Sequence, residues 1–224
     1  MPVVVVSPPA PLVGLDLLKQ HLRVDGSDDD ALITAYAAAA QGQIDGPAGW
    51  LGRAIGPQTL ELRLDRFDAG DWQLGRGSAC AWDRGAWNWT SWPFRRIELP
   101  CPPLIDIVSI TYEDPAGVDQ VLTSDGWRAG DDSVTPSFDA AWPAGRVEAD
   151  AVRIRYRAGY AADPEADPLV AAPPAPIVAA IMLMTGGLYE TREDITVSAT
   201  RSALILNPAA EALLAPYRVF RQYR

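Results

Sequence analysis

Between residues 152 and 157 the chain alternates strictly, with Val152, Ile154 and Tyr156 interleaved with Arg153, Arg155 and Arg157. A period of two residues marks a strand that buries one face and leaves the other polar. Here one face is apolar and the other strongly basic. The same period occurs at Leu60, Leu62 and Leu64, which alternate with Glu61, Arg63 and Asp65, and Ile97 and Leu99 continue it until Pro100, Pro102 and Pro103 interrupt. Residues 104–112 are β-branched and apolar, 113–117 (Glu-Asp-Pro-Ala-Gly) read as a turn, and 118–122 as the returning strand. Short strands joined by tight turns predict an antiparallel sheet.

Both flanks of this region change to the helical period. Leu15, Leu18 and Leu22 share one face of a predicted helix over 15–22. After the turn at Val24-Asp25-Gly26, Ser27 and Asp30 have the spacing of a capping box, and Asp28, Asp29 and Asp30 suit the positive end of the next helix dipole. Capping accounts for these acids more simply than a metal site does. Ile33, Tyr36, Ala37, Ala40 and Ile44 form that helix's buried stripe, and Gly46-Pro47 ends it. Beyond a Pro-rich linker at 163–176, Pro176 suits a first helical turn, and Ile177, Ala180, Ile181, Met184 and Leu188 lie on one face. Gly186-Gly187 either weakens this helix or admits a close neighbour. A short helical run at 208–220, broken by Pro216, ends the pattern. The expected class is α+β, a small α-helical bundle interrupted by an antiparallel β insertion. Its parts are 1–57 helical, 58–162 the β insertion, 163–207 the returning helical part, and 208–224 a C-terminal arm.

Composition narrows the function. The 224 residues are 48% hydrophobic and 21% charged, which predicts a folded globular chain. The net charge of −10 argues against a protein that neutralises phosphates, because nucleic-acid affinity comes mostly from Lys and Arg. Val3–Val6 has no basic region before it and stops at Ser7-Pro8-Pro9, unlike a secretory signal. No stretch approaches the roughly 18 apolar residues of a membrane span. With 2 cysteines, Cys80 and Cys101, and a single histidine, neither a disulfide framework nor a Cys/His zinc site is expected. These absences predict a soluble protein made in a reducing cytoplasm.

Catalytic chemistry finds no foothold. Any Ser/His/Asp or Cys/His arrangement has to use His21, which reads as an ordinary helix-surface residue. Gly75-Arg76-Gly77 lacks the later glycine of a dinucleotide fingerprint, and no Walker-type Gly-Lys-Ser/Thr occurs. Carboxylate pairs are available in number but are not a signal by themselves. The expectation is a protein that is not an enzyme, with no catalytic, cofactor-binding or metal-ligating residues and no cofactor.

Residues 67–94 are too long for an ordinary connection and carry Trp72, Trp82, Trp87, Trp89 and Trp92. One reading is a surface that stacks sugars or bases. The other, favoured in the absence of a basic groove, is a projecting hairpin whose tryptophans pack on each other or on a neighbouring subunit. Trp82, Trp87, Trp89 and Trp92 are then candidate inter-subunit contacts. Arg153, Arg155 and Arg157 are candidates as well, either paired with an acidic surface on a neighbour or forming a solvated strand face.

Several segments together resemble the head–tail connector (adaptor) family of tailed phages, which also occurs in gene transfer agents. LLKQHLRV at 17–24 followed by DDDALI at 28–33 is similar to that family's opening helices. DGPAGWLGRA at 45–54 followed by QTLEL at 58–62 resembles its passage into the first strand, and IELPCPPL at 97–104 with VSITY at 108–112 resembles the next strand pair. RYRAGY at 155–160, LYETRE at 188–193 and ALLAPYRV at 212–219 complete the series in order. The Trp-rich loop departs from the pattern.

The resemblance implies a ring, usually of twelve subunits, fixed under the portal of a virion and assembled in the host bacterial cytoplasm. DNA passes through its channel without specific binding, and the far face receives a stopper or tail-completion protein. The C-terminal segment would be a portal-docking arm, with Leu213, Leu214, Tyr217, Val219 and Phe220 as apolar anchors and Arg218, Arg221 and Arg224 as polar contacts. The alternative destination for that segment is the chain's own domain. An alternative function is a virion carbohydrate-binding or adsorption module built on the Trp loop.

Overall fold

The computed structural model describes residues 3–67, 96–138, 140–160, 171–191 and 208–220, and the structural statements below concern these. The chain forms two compact units. A β unit draws on Met1–Pro8 and Gln58–Gly159, and a helical unit on Pro9–Pro57 and Tyr160–Phe220. The class is α+β with antiparallel sheets, as the alternation of periods predicts.

The β unit opens with β1 (Val3–Ser7), then β2 (Gln58–Leu64), β3 (Ile97–Glu98), β4 (Leu104–Glu113), β5 (Asp119–Leu122), β6 (Trp127–Ala129), β7 (Ser133–Pro136) and β8 (Val152–Ala158). Val3–Ser7 therefore form a strand of the sheet, although the sequence reading groups them with the helical N-terminal part. Four consecutive valines resist helix at χ1 and suit a pleated surface, and Pro8-Pro9 stops the strand. A five-stranded sheet runs β1-β2-β8-β4-β5, with every neighbouring pair antiparallel.

Register in this sheet follows from the alternation. Leu60, Leu62 and Leu64 stand opposite Tyr156, Ile154 and Val152, and Ile154 stands opposite Ile110 on its other side. All seven are buried, most of them completely. The Tyr156 hydroxyl, carried into this core, donates to the Pro100 carbonyl at 2.7 Å. Full burial of each large aliphatic contributes about 1.5–3 kcal/mol. Phe67, at the end of the β2 segment, stacks on Trp142 at 4.9 Å between centroids and meets the Tyr112 ring edge-on at 5.5 Å.

The alternation at Ile97 and Leu99 holds, with both buried and Glu98 exposed, but it belongs to a different sheet. Ile97 pairs with Val134 in a separate three-stranded sheet, β3-β7-β6, and Leu99 lies just beyond β3. The Pro100–Pro103 corner, where Cys101 adopts φ 60°, separates β3 from β4.

The helical unit contains α1 (Leu15–Leu22), α2 (Asp30–Ile44), α3 (Ala175–Glu190) and α4 (Pro208–Leu214). Leu18, Ile33, Ala37, Ala40, Ile44, Ile177, Ala180, Ile181 and Met184 make one core, which matches the helical stripes closely. Tyr36 and Leu188, assigned to those stripes, are only half-buried. Gly186 marks a close approach. A Cβ built there would stand 3.4 Å from His21 Nε2 and 3.7 Å from Leu22 Cδ2, whereas one at Gly187 would meet nothing within 4 Å.

The capping box expected at Ser27 and Asp30 does not form. Helix α2 starts at Asp30 with Asp29 at the cap position and no side-chain cap bond. The acids have other partners: the Asp30 carboxylate pairs with Lys19 Nζ at 2.7 Å, and Asp29 accepts a hydrogen bond from the Tyr189 hydroxyl. Ser27 instead offers its carbonyl to Asp30 N at 3.3 Å. Tertiary partners have replaced the local cap, tying the start of α2 to α1 and to the end of α3.

Candidate assembly surfaces

The basic face predicted for β8 exists, but its charges are answered within the sheet. Arg155 Nη2 lies 2.8 Å from Glu61 Oε2 on β2. Arg157 forks onto Asp106, with Nε to Oδ1 at 2.9 Å and Nη2 to Oδ2 at 2.8 Å. Arg153 Nη2 reaches Asp119 Oδ1 at 2.7 Å, with Glu113 at 3.8 Å. Arg63 stands directly opposite Arg153, an arrangement that repels unless counterions intervene. It contacts Glu61 Oε1 at 2.9 Å and Asp150 Oδ2 at 3.4 Å.

Glu61 is the keystone of this face. The period-two pattern assigns it to a polar surface, yet it is only 6% exposed, covered by the arginines on either side. The hydrogen bond from Arg155 is the main influence holding its carboxyl below the usual glutamate range, reinforced by Arg63 against the opposing effect of burial. The Arg63 guanidinium is correspondingly held above its ordinary value, chiefly by its bond to Glu61. At the β4–β5 turn, Asp114 accepts from Val118 N at 3.0 Å, Ala116 N at 2.9 Å and Gln120 Nε2 at 3.0 Å. These bonds, the one from Val118 first, lower its pKa and fix the turn.

The C-terminal segment is the second surface, and its residues divide. Leu214 is fully buried together with Ala210, inside the helical core. Leu213 and Tyr217 pack half-buried against the same core. As an apolar docking anchor Leu214 must be corrected: its side chain is consumed by its own unit. Further along, Val219 N donates to the Leu51 carbonyl at 2.8 Å. This contact requires glycine at position 52, which has φ +64°, because a Cβ there would come within 2.9 Å of Val219 O. The Arg218 guanidinium lies 4.3 Å from the Trp50 ring centroid and 5.0 Å from that of Phe220. Phe220 remains 78% exposed. Arg221, Tyr223 and Arg224 lie outside the described residues, as do Trp72, Trp82, Trp87, Trp89, Trp92 and Cys80.

Sequence reasoning missed the residue that shapes the α2 exit. Buried Asp45 accepts from Ile55 N at 2.7 Å through Oδ1, and from Gly56 N at 3.0 Å and Gln41 Nε2 at 3.3 Å through Oδ2. Gln41 also receives Leu12 N at 3.0 Å. Both polar side chains interrupt an apolar stripe, and that interruption was the available signal. His21 is exposed, as expected, and lines a cleft of about 480 Å³ with Leu22, Arg23, Leu183, Gly186, Gly187, Tyr189 and Glu190. No cluster of three or more His, Cys, Asp or Glu side chains suited to a metal occurs among the described residues. No helix there is long and apolar enough to cross a membrane.

No protein-family model matches the chain, and neither does any curated protein. Solved structures do. A chain from the neck of an empty GTA particle computed with C6 symmetry superposes with a TM-score of 0.68 at 20% identity, covering 99% of this chain and 97% of that one. A chain from the virion of a native gene transfer agent particle gives 0.66 at 22% identity over the same shares. One from the neck of a native GTA particle computed with C12 symmetry gives 0.64 at 21% identity, again covering 99% and 97%. The chain thus shares its fold with chains of gene transfer agent particles and their necks.

Proposed function

We propose that this chain is a non-enzymatic structural subunit of the neck of a phage-like particle, a head–tail adaptor. It forms a ring of twelve copies beneath the portal and around the DNA channel, and passes the load to a stopper or tail-completion protein. The observation that carries this reading is the end-to-end likeness of fold to neck chains, with nearly complete coverage on both sides. A net charge of −10 suits a conduit, since an acidic surface does not hold DNA by counterion release. The compensated arginine face agrees, because Arg153, Arg155 and Arg157 already face carboxylates.

The portal-docking segment is the exposed end of the C-terminal run. Phe220 and Arg218 present apolar and cationic groups to a partner, while Leu213, Leu214 and Tyr217 anchor the run to the helical unit. The tryptophans at 82, 87, 89 and 92 are assigned to contacts between neighbouring copies. Electron microscopy of the chain mixed with its cognate portal tests the role. Twelve-fold rings seated on the portal are expected, and a chain that stays unbound as single copies overturns it.

A further inference from the structure

The five-stranded sheet ends in β1 and β5, which pair with no further strand among the described residues. Although β1 is irregular between Val5 and Ser7 and β5 is short, neither presents a lysine, a proline within the strand or an unanswered charge. Solvent-facing edges are normally blunted by lysines, by proline within the strand, or by uncompensated charge. Strand β1 is Val3-Val4-Val5-Val6-Ser7, uncharged throughout, and Val4, Val5 and Val6 are 37%, 43% and 44% exposed. At the opposite edge Val121 is 69% exposed and Val118, just before β5, 54%. The only charge on β5 is Asp119, neutralised by Arg153 at 2.7 Å, and Gln120 is held by Asp114. The two edges are similar in length, at five and four residues.

We infer that β1 of one copy pairs with β5 of the next, so that the sheets of neighbouring subunits join edge to edge. This rests on the ring reading above. A ring built by rotation needs two different surfaces on each chain that meet head to tail. The opposite edges of one sheet are such a pair. Charge agrees with this occupant, because neither edge brings an unanswered charge to the other. Four successive antiparallel pairings leave β1 and β5 running in the same direction, so a copy set beside its neighbour without inversion pairs in parallel. Val4 stands opposite Glu61, itself opposite Arg155, while Val121 stands opposite Thr111, itself opposite Arg153. Both valines therefore lie on the charged face and meet across the junction.

The test uses the full chain with its portal. Val4→Lys and Val121→Lys are each expected to leave the melting temperature and circular dichroism as in the wild type and to abolish rings on the portal. Separately, Val4→Cys chain is mixed with Val121→Cys chain, both carrying Cys80→Ser. An inter-chain disulfide is expected in the mixture once assembled, and in neither variant alone. Lysine variants that form normal rings, or assembled mixtures without the disulfide, overturn the inference while leaving the ring reading intact. A wild-type chain that never forms rings overturns the ring reading itself.

Discussion

Glu61 and Arg155 face each other across the β2–β8 pair with 2.8 Å between Oε2 and Nη2, and the carboxylate is nearly sealed from water. Its charge answers two of the four arginines on that sheet face, Arg155 and Arg63, while Arg153 and Arg157 face Asp119 and Asp106. Glu61→Gln is expected to destabilise the chain by about 1–3 kcal/mol, the cost of losing a hydrogen-bonded charge partner where the arginines remain partly solvated. Chemical denaturation at neutral pH checks this.

The same residue sets an acid limit. Its folded-state pKa is depressed, chiefly by the Arg155 hydrogen bond. The stability it contributes is therefore fully present above the ordinary glutamate range and is lost as pH falls through the lower folded value. Denaturation midpoints of wild type and Glu61→Gln should differ at neutral pH and converge as acid protonates Glu61. A gap that stays constant to strongly acidic pH contradicts the assignment.

Much of this fold was legible because its periodicities are local. Leu15, Leu18 and Leu22 define α1 to the residue, and the Val152–Tyr156 alternation fixes both the strand and its core face. What escaped depends on partners far away in sequence. Nothing near Glu61 announces that Arg155 will cover it, and the Ser27–Asp30 spacing looks like a cap until Lys19 and Tyr189 claim the acids. Leu214 is ambiguous in the sequence for the same reason: apolar residues near a terminus serve a core or a partner equally well.

Asp45 holds the chain's return after α2 by two backbone amides, Ile55 N and Gly56 N. Asp45→Ala leaves both donors buried without that acceptor, and a loss of about 2–4 kcal/mol is expected. Hydrogen exchange localises the effect, with the Ile55 and Gly56 amides losing protection ahead of those in α3.

The paired glycines of α3 should respond oppositely. Gly187 has open space where a Cβ would sit, so Gly187→Ala should stabilise the helix by about 0.5–1 kcal/mol. A Cβ at Gly186 would already be in van der Waals contact with His21 and Leu22, so the longer side chain of Gly186→Leu has to displace them and should cost about 1–3 kcal/mol through overpacking. Thermal melts of the two variants decide whether close approach of α1, rather than helix weakening, is the reason for glycine at 186.

The C-terminal run separates stability from docking. Leu214 is completely buried, so Leu214→Ala should cost about 2–5 kcal/mol and lower the melting temperature whether or not a portal is present. Phe220 is 78% exposed, with Arg218 as a ring neighbour, and Phe220→Ala should leave stability within about 0.5 kcal/mol of wild type. On the portal-docking reading the same variant weakens binding to the portal about tenfold or more, as truncation of an aromatic anchor does. Deleting everything from residue 211 onward would confound the two effects, since it removes Leu214 from the core together with the exposed end. Stopping the chain after Val219 keeps Leu214 and the Val219 bond to Leu51 in place. A chain so shortened that melts like the wild type and still seats on the portal with unchanged affinity would move the docking surface away from the C-terminus altogether.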